Sequence, residues 1–188
     1  MNPIGTKTIE TDRLILRQWR LEDATAMFQN WASDVENTQY VPWEAHKSVA
    51  ITEEFLAERV KDYQDNQVFR WAITLKGSPD EVIGDISVVA IRPNVDEAEI
   101  GYILSKQYWN QGLMTEVLRE VIDFLFGEVG FNRIVAGFLA ENLASGHVIE
   151  KAGMRYEGTF RQAMKVKGRI FDYTCYGLLK SDWLAHKQ

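Results

Sequence analysis

The chain has little of what chemically explicit sites are usually built from. Of its 188 residues only one is cysteine, three are histidine and four are proline. A lone cysteine excludes an intrachain disulfide and argues against a cysteine-based metal site, so no metal is expected. Cys175 sits in Y-T-C-Y-G-L-L, an apolar strand-like run, and reads as a buried bystander rather than a nucleophile. Positive charge is also short: 21 Lys and Arg stand against 27 Asp and Glu, a formal net charge of −6. That balance disfavours duplex nucleic acid and anionic membranes as partners and suits basic peptides or amines. Long apolar runs are missing too. The opening M-N-P-I-G-T-K-T lacks the apolar core of a signal peptide, and Glu116, Arg119, Glu120 and Asp123 interrupt the most apolar helical stretch. No membrane span and a reduced, cytoplasmic setting are therefore expected. Neither the nucleoside-triphosphate loop G-x-x-x-x-G-K-[ST] nor a three-glycine dinucleotide fingerprint occurs.

What is present is an ordinary core-forming balance, 46% hydrophobic and 26% charged residues, consistent with one domain over residues 1–188. A first strand is expected from Leu14 and a helix over Leu21–Asn30 with Glu22 and Asp23 in its acidic first turn. A polar, aromatic loop with Tyr40 and Trp43 follows, and then a helix from Val49 to about Gln64 capped by Ser48. Phe69–Leu75 and Val82–Ile91 read as strands joined by K-G-S-P-D-E, and Glu97–Leu104 as another. A long helix from Leu113 to about Glu128, a strand over Arg133–Leu139 and a short helix over Leu143–Ala152 come next. Strands over Met154–Phe160 and Arg169–Leu179 close the chain. Early helices, a mixed and mostly antiparallel sheet of about seven strands, and one β-α-β unit make the class α+β.

Two segments carry chemistry. In Ala98–Glu116, A-E-I-G-Y-I-L-S-K-Q-Y-W-N-Q-G-L-M-T-E, an apolar strand gives way to a glycine and then to a helix marked by Val117, Leu118, Val121, Ile122 and Leu125. A helix starting after a glycine offers unpaired backbone N–H groups and a positive dipole end, which together bind phosphate without a basic side chain. In E-N-L-A-S-G-H-V-I-E-K-A-G-M, Asn142 is placed to cap a helix and Gly153 to end it in the left-handed conformation. His147 is lone on that helix and reads as a surface or helix-lining residue rather than a base.

Together, in this order around the Arg133–Leu139 strand, these segments resemble the GCN5-related N-acetyltransferase (GNAT) superfamily, closest to its ribosomal-protein alanine N-acetyltransferase (RimJ/RimL-like) branch. The family's loop reads roughly [QR]-x-x-G-x-[GA]. The branch variant begins with tryptophan and ends in T-E, matched by Trp109, Gln111, Gly112, Thr115 and Glu116. The signature N-x-x-S-x-x-x-x-E-K-x-G-[FM] matches at Asn142, Ser145, Glu150, Lys151, Gly153 and Met154. The opening T-D-R-L-I-L-R and the closing G-R-I-F-D-Y-T-C-Y-G-L-L-K-S-D-W match as well, so the likeness covers nearly the whole chain. Asn110 stands where the family usually has glycine, and Met114 where it has glycine or alanine; backbone amides still supply the phosphate contacts, and Met114 is expected to tighten the turn or alter its approach to the pyrophosphate.

The resemblance implies a sheet splayed at two central parallel strands and acetyl-CoA as cosubstrate. Tyr102, Ile103, Leu104, Asn110, Gln111, Gly112, Leu113, Met114, Thr115, Asn142 and Ser145 would bind it. It implies direct transfer of acetyl to an amine, with an oxyanion donor on the backbone between Ile103 and Ser105. The tyrosine that many relatives use as acid falls on Ile149 here, so Ser145 takes that role. Glu99 matches the carboxylate that some members use as a base, through a water. A second base known in the branch falls on Met164. Trp43 and Glu97 are assigned to the acceptor, an N-terminal amine of a ribosomal or other protein. A small amine such as an antibiotic, polyamine or amino acid is the alternative. A non-catalytic acyl-CoA sensor is a third reading, and a homodimer is left open.

Overall fold

Apolar residues at alternate positions make Leu14–Arg17 a strand with Leu14 and Leu16 fully buried. It is β2 in this computed structural model, which describes residues 1–187 and divides them into two compact units. One unit takes in Pro3–Ser87 and Tyr102–Leu113. There β1 (Ile9–Glu10), β2, β3 (Arg70–Leu75) and the front of β4 (Ser78–Arg92) pair antiparallel, with Ile9 opposite Leu16, Leu14 opposite Leu75 and Arg70 opposite Ser87. The expected first helix forms as a 3₁₀ turn (Leu21–Asp23), α1 (Ala24–Met27) and a π turn (Phe28–Ala32). Its start is fixed by Asp23, which accepts the Arg20 N–H at 2.8 Å and is held by both terminal nitrogens of the buried Arg17, each at 2.8 Å. Trp19, Met27 and Trp31 pack with Leu56 of α2 (Val49–Lys61), Ala72 and Val82 to form this unit's core. Ser48 does occupy the N-cap position of α2, but its side chain makes no capping hydrogen bond. The connection expected over K-G-S-P-D-E shrinks to Lys76 and Gly77, because β4 pairs from Ser78 on, with register shifts around Thr74.

The other unit takes in Met1–Asn2, Val88–Gly101 and the chain from Met114 on. Its central helix is α3 (Leu113–Phe124), extended by a π turn over Leu125–Val129 and stopped at Gly130, whose φ of 82° is left-handed. Val117, Leu118, Val121, Ile122 and Leu125 are all buried, which is the stripe their spacing predicts. Four residues of β5 (Glu97–Leu104) pair in parallel with β6 (Arg133–Leu139), from Glu97 opposite Arg133 to Ile100 opposite Ala136. After β6 comes α4 (Leu143–Lys151), then β7 (Arg155–Val166) and β8 (Arg169–Leu179) as an antiparallel hairpin, and α5 (Lys180–His186). β8 also pairs antiparallel with β6.

Neighbouring strands run in the order β1-β2-β3-β4-β5-β6-β8-β7. The α+β class and the mixed, mostly antiparallel sheet with one parallel pair are as expected. Among the described residues the strand count is eight because Ile9–Glu10, too short to leave a periodic signal, adds an edge. No helix among the described residues is long and apolar enough to cross a membrane, and no cluster of metal-ligating side chains occurs among them.

Candidate active site

The end of β5 and the loop after it are held by a small set of side chains. The Leu104 carbonyl accepts two hydrogen bonds at 2.8 Å, from Asn37 Nδ2 and from the Trp109 indole N–H. Asn37 Oδ1 in turn accepts the Lys106 N–H at 2.8 Å, so one amide side chain brackets the strand's last turn. Lys106 Nζ reaches back to Asp34 at 2.6 Å and Glu36 at 3.1 Å. Arg13, in the T-D-R-L-I-L-R segment, donates to the Gln111 carbonyl at 3.0 Å. None of Asn37, Asp34 and Arg13 was singled out as a site residue from the sequence, because each lies about 70 to 100 positions from the loop it braces.

Two loop residues are left-handed, Asn110 with φ of 60° and Gly112 with φ of 74°. That accounts for the departure from the family pattern at Asn110. Asparagine is among the few residues other than glycine that enter this region readily, so the backbone path survives the replacement. Gly112 is exposed, and the buried Leu113 begins α3 directly after it. Met114, expected to tighten the turn, is buried, 5% exposed.

Along β5 the backbone groups divide by direction. The Ser105 N–H is taken by the Ile83 carbonyl at 2.8 Å. A Cβ on Gly84 would stand 2.6 Å from the Ile103 carbonyl, so Ile103 and Ser105 face the same neighbour. Strand alternation turns the Leu104 N–H to the opposite edge. Of the three residues expected to carry the oxyanion donor, Ser105 therefore has its N–H already committed.

In the other unit, Glu99 is half-buried and its Oε1 accepts a hydrogen bond from the Tyr173 hydroxyl at 3.0 Å. Burial, and then the Glu99 charge, push the Tyr173 hydroxyl above its ordinary pKa, so it stays a donor. Tyr173 was read from the sequence only as part of a closing strand. Glu97, expected to meet the acceptor, is 4% exposed. Its Oε2 lies 2.6 Å from Arg133 Nε and its Oε1 3.1 Å from Arg92. Arg133 also grips Glu157 at 2.6 and 2.5 Å, and a glycine at position 177 leaves room for that carboxylate. This arginine holds Glu157 below the ordinary carboxylate range. Cys175, expected to be buried, is half-buried, and burial pushes its thiol up.

Asn142 caps α4 as expected, its side chain accepting the Ser145 N–H at 3.4 Å, and Gly153 ends the helix with φ of 89°. Ser145 is half-buried, Ile149 is fully buried and His147 is exposed. Trp43 lies against His46 and Phe55, ring centroids 5.1 and 6.4 Å away, while Glu44 is exposed. His46 shares a 2.7 Å hydrogen bond with Thr52, and burial lowers its pKa, which keeps the ring neutral near pH 7.

Comparison with known proteins gives a consistent set. Residues 13–155 match the family model for the acetyltransferase (GNAT) domain. An uncharacterized N-acetyltransferase of Bacillus subtilis strain 168, YoaA, is 34% identical over 172 residues, covering 92% of this chain and 96% of that protein. The crystal structure of a GNAT-family acetyltransferase from Bacillus anthracis superposes with a TM-score of 0.82 at 25% identity, covering 93% of this chain and 99% of the other. The structure of RimL, a ribosomal L7/L12 alpha-N-protein acetyltransferase in complex with coenzyme A, superposes with a TM-score of 0.80 at 22% identity, covering 94% and 99%.

Proposed function

Since the chain belongs to the acetyltransferase (GNAT) family, we propose that it uses acetyl-CoA to acetylate the N-terminal amine of a protein, acting as one domain over residues 1–188. The observation that carries the donor half is the loop before α3, with left-handed Asn110 and Gly112 ahead of a helix start. Such a loop aims consecutive N–H groups at a pyrophosphate. Gln111, Leu113, Met114 and Thr115 supply further backbone there, and Tyr102, Ile103 and Leu104 offer the strand edge to the pantetheine arm. The Leu104 N–H serves as oxyanion donor, since Ser105 has given its own to Ile83.

The reaction then balances as follows. The amine nitrogen attacks the thioester carbonyl carbon and loses a proton to Glu99, directly or through a water, as the C–N bond forms. The tetrahedral oxyanion collapses, the C–S bond breaks with its electron pair on sulfur, and the thiolate takes the Ser145 hydroxyl proton, which solvent water restores while Glu99 gives up its own proton to solvent. Asn142 holds the turn that carries Ser145. Trp43, beside its aromatic neighbours, supplies an apolar wall for the acceptor. Glu97 is left out of the acceptor site, because both its oxygens are paired with arginines.

Free-thiol release from acetyl-CoA, measured across peptides with free or blocked N-termini and across small amines, tests the reading. Turnover confined to free peptide N-termini is the expected result. Turnover only on small amines would favour the second substrate class, for which the net charge of −6 is equally suited. Binding of acetyl-CoA without turnover on any acceptor would make the chain a sensor.

Ser145→Ala is expected to lower kcat roughly 100-fold, at the low end of what acid catalysis supplies, and to leave acetyl-CoA affinity unchanged. The cap survives this substitution, because it uses the Ser145 backbone N–H, which alanine keeps. Unchanged kcat between pH 7 and pH 9 would remove Ser145 from the mechanism.

A further inference from the structure

Glu99 and Tyr173 lie on strands that are not neighbours. In the order β5-β6-β8, β6 runs between them. Two ladder spacings put the backbones of β5 and β8 about 9.5 Å apart, too far for a side chain standing upright on β8. Tyr173 must lie down across β6, and the residue it crosses is Gly137. A Cβ built on Gly137 would stand 2.2 Å from the Tyr173 oxygen and 2.3 Å from the ring carbon that bears it. Gly137 is not among the glycines with positive φ, so room for the phenol, not backbone freedom, is what requires a glycine there. Cross-strand register agrees: Glu99 lies opposite Val135 and Gly137 opposite Cys175, which puts Glu99, Gly137 and Tyr173 on one face of the sheet.

We infer that Tyr173 is a positioning residue for acetyl transfer: lying in the gap left by Gly137, it fixes Oε1 of Glu99 so that Oε2 takes the proton of the attacking amine. The inference rests on Glu99 being the base. Tyr173 keeps its own proton throughout; the proton accepted by Glu99 comes from the amine nitrogen as the C–N bond forms. The other charged or titratable groups on this face are Glu97 on β5, Arg133 on β6, Glu157 on β7, and Cys175 on β8, with Arg92 reaching in from β4. Arg133 is occupied by Glu97 and Glu157, and Arg92 by Glu97, while the phenol donates to Glu99.

The test is titration of the Glu99 side-chain carboxyl by carbon-13 NMR in the wild type, in Tyr173→Phe and in Gly137→Ala, together with kcat/KM against pH. A hydrogen bond to the charged carboxylate favours that form, so losing it disfavours ionisation and moves the midpoint to higher pH, by about one unit. Gly137→Ala should give the same shift, because its methyl displaces the phenol while leaving it in the chain. The acidic limb of kcat/KM should move up by the same amount, with KM for acetyl-CoA unchanged, and Tyr173→Phe should add no loss to Glu99→Gln. A wild-type midpoint in either variant overturns the inference, as does an unmoved acidic limb in an active Tyr173→Phe protein. If the wild type acetylates none of the acceptors, the functional reading fails, while the carboxyl titration still decides whether Tyr173 and Gly137 set the state of Glu99.

Discussion

Glu99→Gln is expected to lower kcat by about 100- to 1,000-fold at pH 7 and to leave the Kd for acetyl-CoA unchanged, within the range that general base catalysis supplies. Glutamine keeps the volume of the side chain and an oxygen that accepts from the Tyr173 hydroxyl, so the local packing is preserved. What it cannot do is take a proton near neutral pH. The size of the deficit also reports on the acceptor. A protein N-terminal amine, with an ordinary pKa near 7.7–8.0, is already partly neutral at pH 7–8 and depends less on a base than a lysine amine near 10.4. The deficit should therefore shrink as the pH is raised from 7 to 9 on an N-terminal peptide, and persist over that range on a lysine-type amine. Steady-state kinetics on both acceptors measures this. Wild-type kcat with an unchanged acidic limb would take Glu99 out of the reaction and with it the role of Tyr173.

The parts of this molecule that were legible in the sequence are those set by local pattern. Glu97–Leu104, Arg133–Leu139 and Arg169–Leu179 have the limits their alternation and flanking turn residues predict. Asn142 and Gly153 bound α4 because a cap and a left-handed stop need particular residue types. Position 110 shows the converse. It departs from the family's usual glycine, and only its positive φ shows why asparagine is a conservative substitute there. What the sequence hid depends on register between distant segments. Alternation gave the face of Glu97 and Glu99, but nothing local says that Arg133 and Arg92 will take up Glu97 while Tyr173 takes up Glu99. The glycines at 137 and 177 carried the signal in principle, as small residues inside strands mark close approach. Which side chain fills each gap follows only once β8 is known to lie beside β6.

Gly112→Val is expected to weaken acetyl-CoA binding by about 2–3 kcal/mol, roughly 30- to 150-fold in Kd. At φ of 74° a β-branched residue is strained, and the strain is relieved by rotating the peptide units on either side of position 112. Those units carry the N–H groups at the start of α3, so relief of strain and loss of aim are the same movement. The added side chain also starts 3.7 Å from the Arg13 guanidinium, which braces the loop through the Gln111 carbonyl. Gly112→Asn separates backbone from bulk. Asparagine tolerates the left-handed region, as Asn110 does two residues earlier, so its Kd should stay within about fivefold of wild type. Titration calorimetry distinguishes three cases. A weak valine variant with a near-normal asparagine variant supports backbone aim; two weak variants point to simple crowding of the phosphate path. Wild-type affinity for the valine variant would mean that this loop does not hold the cofactor, and the donor half of the mechanism would lose its anchor.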